Sequence, residues 1–156
     1  MKVRRATEDD VPSVVRIINA AYRVEDFFVR GDRTDDADVR GRMASTDGCF
    51  LVAEDEDDAM MAASWVEVRD GRGYFGMLSV DPALQGKGVG KAFVREIENY
   101  CRERNCRDLD LQVVNLREEL PAFYVSIGFK QIGTLPFDKP EKLTREAHFV
   151  RMTKAL

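Results

Sequence analysis

The sequence predicts a mixed α/β fold (α+β class, mixed sheet) in one domain spanning 1–156, with the order β-α-α-β-β-β-α-β-α-β-β. Three observations carry this. Strand-like runs follow in quick succession at 49–54, 61–68 and 74–80, separated only by turns. Val89, Phe93, Ile97 and Cys101 then recur at i, i+4, i+8 and i+12, the stripe of one long helix. The chain is 156 residues and 44% hydrophobic, enough for a single core, with no repeat, low-complexity linker or composition break.

Taken in order, "KVRRA" (2–6) reads as a first strand. Thr7 and Asp10 have the spacing of a capping box, with Asp where Glu or Gln is usual. Val11, Val14, Val15, Ile18 and Tyr22 place a helix to about residue 22. "RVEDFFVRGDR" (23–33) is irregular, and Thr34 is suited to cap a short helix through about Met43. The next three strands are "CFLVAE", "MAASWVEV" and "YFGMLSV", with turns at the acidic 54–58 run and at "RDGRG". The long helix ends near Arg104, and "DLDLQVV" (108–114) alternates as a strand. Pro121 marks the first turn of a shorter helix ending at Gly128. "FKQIGTL" and "AHFVRMTK" close the order around a polar loop at 136–146. Strand 74–80, helix 89–104 and strand 108–114 fit a right-handed parallel crossover.

The net charge of −4 argues against nucleic acid as a partner. No run approaches a membrane span, and "MKVRRATEDD" has no apolar signal-peptide region. Three cysteines without metal-like spacing predict free thiols in a reducing, cytoplasmic setting. The acidic runs 35–38 and 54–58 read as a helix N-terminus and a solvated turn rather than a cation site. One histidine, His148, cannot build a zinc site alone, so no metal is predicted.

The segment richest in chemistry is "LSVDPALQGKGVGKAF" (78–93), glycine and lysine packed where a strand hands over to a helix. Free backbone N–H groups and the helix dipole make such a junction an anion site. A P-loop is a poor fit: Gly86 to Gly90 is one residue short, and Ala92 replaces the magnesium-binding hydroxyl. A Rossmann fingerprint also fails, on glycine spacing and on the antiparallel strands before it.

Gln85-Gly86-Lys87-Gly88-Val89-Gly90 resembles the [R/Q]-x-x-G-x-[G/A] signature of the GNAT superfamily of N-acetyltransferases, and "MLSVDP" before it is similar too. "LQVVNLREELPAFYVSIGFKQIG" (111–133) resembles that family's next block. The resemblance covers most of the chain and is weakest over 22–48 and 136–146. It implies acetyl-CoA as co-substrate, with the pantetheine arm between splayed strands 74–80 and 108–114. Main-chain groups of Leu78 and Val80, flanking Ser79, would pair with that arm. Amides from Gly86 to Lys91 would take the diphosphate, with Lys87 and Lys91 adding charge. Asn115 matches a pantetheine contact and Tyr124 the tyrosine beside the thioester sulfur.

The implied reaction is direct acetyl transfer to an amine. An alkyl ammonium has a pKa near ~10.4 and a thiol near ~8.5, so deprotonating one and protonating the other both gain from acid–base help. Tyr124 is the candidate acid. Relatives often carry a basic Glu on the strand matching 74–80, but "YFGMLSV" has none. Glu67, sharing a face with Trp65, is the first candidate base, with Glu25 and a water relay as alternatives. Parity does not say whether the Glu67 face meets the cleft. Cys101 reads as a buried small hydrophobe rather than a nucleophile. For the acceptor, Tyr22, Arg23, Glu25, Phe27 and Phe28 suggest a small amine or amino-acid-like molecule over a long basic peptide. A protein or peptide acceptor and a CoA-binding sensor without catalysis are the alternatives. Homodimers are frequent in the family it resembles.

Overall fold

Seven strands form one sheet in the order β1-β2-β3-β4-β5-β7-β6 in the computed structural model, which describes residues 1–156. The elements are β1 (Lys2–Arg5), α1 (Val11–Tyr22), α2 (Asp36–Ala44), β2 (Gly48–Glu54), β3 (Met60–Arg69) and β4 (Arg72–Val80), then α3 (Val89–Glu103), β5 (Asp108–Val114), α4 (Glu119–Ser126), β6 (Lys130–Pro136) and β7 (His148–Ala155). β1 through β4 pair antiparallel, β2 to β3 and β3 to β4 across short turns and β1 to β2 across the segment that holds α1 and α2. β4 and β5 are parallel and joined through α3, and β7 lies antiparallel between β5 and β6. No helix is long and apolar enough to cross a membrane.

β2 is apolar at five successive positions because both of its faces are covered. Phe50 and Val52 pack with Val11, Val14 and Ile18 of α1 and with Val39 of α2. Leu51 and Ala53 join Phe93, Val94, Ile97 and Cys101 of α3 on the opposite face. The stripe on α3 also buries Glu98, which sequence periodicity does not anticipate. Its carboxylate meets Lys154 Nζ at 2.6 Å, and that ammonium also donates to Ile127 O at 2.8 Å. The pair ties α3 to β7 and to the end of α4.

Two local readings are refined. Asp35, not Thr34, caps α2, accepting from Asp38 N at 2.7 Å, while the Thr34 hydroxyl donates to the Asp38 carboxylate at 2.6 Å. Of the 54–58 run, Glu54 is buried and bonds Arg4 Nε at 2.8 Å, so only the remainder is a solvated turn. Arg4 also grips Asp10, whose carboxylate takes Thr7 N–H at 2.6 Å and is held down at about 2.

Candidate functional site

β4 and β5 share register only from Arg72↔Asp108 to Tyr74↔Asp110, and then separate. The cause lies in β4. Ser64 of β3 falls at a register shift, with Ala63 opposite Ser79 and Trp65 opposite Gly76, so β4 carries an extra residue there. Met77 sits in the bulge with φ +53, a strained value for a side-chain-bearing residue. Ser64 Oγ closes the irregularity on Gly76 O at 2.9 Å. Phe75 and Met77, two apart, consequently belong to opposite cores. The strands part around a cleft of about 730 Å³.

At the α3 end this cleft meets Gln85, Gly86 and Gly90. Gly86 and Gly88 have φ +79 and +81, and the space beyond their α-carbons is open. The backbone N–H groups of residues 86–91 have no acceptor in the protein: the first helical bond comes from Ala92 N to Gly88 O. Gln85 Nε2 donates to Val80 O at 3.3 Å, pinning the loop to the strand. Asp81 N bonds Met61 O, so ladder alternation turns Ser79 and Asp81 toward β3 and Leu78 and Val80 toward the open side. A row of free amides and, beyond the bonded turn 81–85, a strand edge with no partner strand thus border the same cleft. Such a surface fits a diphosphate followed by an amide-bearing chain, which is the chemistry of coenzyme A.

Further along, Tyr124 projects from α4 between Phe75, Phe123 and Phe129. Its ring is buried, yet the hydroxyl has no protein partner and opens on the cleft. Burial pushes the phenol well above its ordinary pKa, so it holds its proton at neutral pH. Glu67 also lines the cleft, answering the question that parity left open. It sits opposite Tyr74, and its carboxylate accepts from Trp65 Nε1 at 2.8 Å. Burial pushes Tyr74 up to about 12. Glu25 is buried against Arg117 Nη1 at 3.1 Å, and burial raises its pKa despite that cation.

The sequence model of the acetyltransferase (GNAT) family matches residues 12–129. This chain belongs to that family. A mycothiol acetyltransferase from Propionibacterium freudenreichii is 31% identical over 134 residues, covering 81% of this chain and 42% of its own length. Human N-acetyltransferase 8B is 30% identical over 107 residues, covering 65% of this chain and 47% of its own. The chain thus spans less than half the length of either relative. A ribosomal-protein-alanine N-acetyltransferase from Brucella melitensis superposes with a TM-score of 0.77 at 24% identity over all of both chains. A nourseothricin acetyltransferase reaches 0.75 at 17%, covering 99% of this chain and 97% of its own. At these identities the two structures show a shared GNAT fold.

Several residues that the GNAT resemblance or the sequence pointed to lie elsewhere. Asn115 is spent on the sheet: its Oδ1 accepts from His148 N and its own N–H donates to His148 O, each at 2.9 Å. It is not among the cleft-lining residues, and neither are Ser79, whose buried hydroxyl donates to Met77 O, nor the side chains of Lys87, Val89 and Lys91. Of the five named acceptor candidates only Tyr22 and Glu25 reach the cleft, joined there by Val29, Asp32 and Arg33 of the same segment. Phe28 is fully buried, Phe27 is exposed beneath Arg145, and Arg23 pairs outward with Asp32. That part of the cleft wall also carries Arg33, Tyr74, Arg117 and Lys142. Of these only Arg33 had a signal, since it ends the irregular 22–33 segment. Burial holds Cys101 up at about 12, which removes it as a thiolate nucleophile.

Proposed function

We propose that this chain is an acetyl-CoA-dependent N-acetyltransferase acting on a primary amine of a small acceptor. One observation carries the reading: the unpaired amides of 86–91 and the unpaired edge of β4 border one cleft, which the Tyr124 side chain also lines. The amides hold the diphosphate, and Leu78 and Val80 receive the pantetheine amides. The thioester then lies near Tyr124.

Transfer is direct. The acceptor ammonium first loses a proton, because only the neutral amine has a lone pair. Nitrogen bonds the acetyl carbon, the carbon–sulfur bond breaks, and a second proton leaves nitrogen. Glu67 is the base: its carboxylate faces the cleft with Trp65 Nε1 as its one hydrogen-bond partner, whereas Glu25 is committed to Arg117. Tyr124, kept protonated by burial, gives its proton to the departing sulfur and recovers one from solvent. The three cysteines are buried and unpaired, which suits a reducing, cytoplasmic setting.

A panel of amines with acetyl-CoA, read by release of the CoA thiol, tests this reading. Thiol release that depends on one class of amine supports it. Tight acetyl-CoA binding with no release from any amine overturns it in favour of a CoA-binding sensor.

A further inference from the structure

The polar groups at the acceptor end are unevenly paired. Elsewhere the half-buried arginines have carboxylate partners: Arg4 with Asp10 and Glu54, Arg42 with Asp38, and Arg117 with Glu25 and Glu119. Arg33 is also half-buried and lines the cleft, yet it forms no ion pair: its neighbours are the Tyr22 hydroxyl and, further off, the Glu25 carboxylate already bound to Arg117. Its guanidinium lies over the Tyr22 ring, 5.3 Å from the centroid, and no carboxylate of the chain takes its fork of donors.

Lys142 adds a second such cation. It ends the short turn Pro140–Lys142, half-buried, with an unpaired ammonium in the same cleft. The turn is anchored to the segment leading to Arg33: Arg30 N bonds Lys142 O, and Thr144 N bonds Phe28 O, each at 2.9 Å. Two unpaired cations thus reach one end of the cleft from chain segments that are bonded together, and Glu67 lines the same cleft.

We infer that the acceptor is a small amine that also carries a carboxylate, held by Arg33 and Lys142 while its amino group meets Glu67. The inference rests on the acetyl-transfer reading above and names the substrate class for that site. The guanidinium fork matches a carboxylate in two parallel hydrogen bonds. A dianionic group is disfavoured because Asp32 and Asp138 line the same cleft.

The test uses α-amino acids, their α-amides and the corresponding decarboxylated amines, with acetyl-CoA and CoA-thiol release as the readout. The acids should have a KM lower than their amides by about tenfold or more, the scale of a charge-assisted hydrogen bond. Arg33→Gln should erase that preference, so that acid and amide are used alike, and Arg33→Lys should restore part of it. Lys142→Gln, on a separate segment, should weaken the preference as well. If the wild-type enzyme uses acids and amides alike, or keeps its preference in both Gln variants, the carboxylate assignment falls and acetyl transfer stands. Release from no amine at all would remove the acetyl-transfer reading and this inference with it.

Discussion

The proposed coenzyme end and the proposed acceptor end of the cleft are built on opposite principles. The first is main chain: the amides of 86–91 and the edge of β4 come from one stretch of sequence, whose Leu78, Val80 and Val89 side chains pack against the core. The second is side chain: Tyr22, Arg33, Glu67, Tyr74, Arg117 and Lys142 arrive from separate segments. A backbone site demands glycine at fixed spacing, so it can be seen in sequence and suits a ligand common to a whole family. A side-chain site is assembled by tertiary contacts and is free to differ between relatives with the same fold.

If this contrast is correct, the largest effect belongs to the backbone end. Gly88→Asp should lower acetyl-CoA affinity by about 100-fold or more in calorimetry, because it sets a charge against phosphate at the α3 N-terminus. Asp tolerates the left-handed backbone there, so the fold should survive, and Gly88→Asn should lose much less. Equal affinity in all three proteins would break the contrast.

Next comes Tyr124→Phe, which should lower kcat by roughly 100-fold through loss of the proton donor. Acetyl-CoA affinity should barely change, since the hydroxyl bonds nothing in the protein. Unchanged turnover would make Tyr124 a packing residue.

Glu67→Gln sharpens the acceptor side. With Glu67 as base, kcat/KM rises with pH along a limb that the variant removes. If water takes the proton, the limb follows the acceptor's own pKa and ignores the substitution.

The smallest effect concerns Glu25, whose pKa is raised by burial against the pull of Arg117. A raised folded-state value means that its contribution to stability is full below the unfolded value of about 4.3 and is lost as pH rises through the folded one. The melting temperature of wild type minus that of Glu25→Gln should therefore fall as pH climbs from about 4. A difference that grows instead would mean that Arg117 outweighs burial.

Element order was legible because apolar periodicity is a local property, and the α3 stripe and the double-sided β2 show it directly. The glycine loop was legible because its spacing is itself the constraint. Phe27 and Phe28 were not: adjacency cannot say which ring turns inward, and packing buries Phe28 while leaving Phe27 outside. Glu67 was half legible, since parity pairs it with Trp65 but does not choose the face. Arg33 and Lys142 lie in segments without periodicity, and only the bonds between 28–30 and 142–144 bring those segments together. The pairing of Asn115 was hidden for a related reason, because its side chain satisfies the His148 backbone from a distant segment.

Amide hydrogen exchange with and without acetyl-CoA tests the central claim most directly. Residues 86–91 donate to no protein acceptor in the free chain and should exchange fast. Saturating acetyl-CoA should protect them, together with Leu78 and Val80, while Ser79, already directed toward β3, should change little. Acetyl-CoA that binds without protecting 86–91 would contradict the account, because the diphosphate would then lie elsewhere.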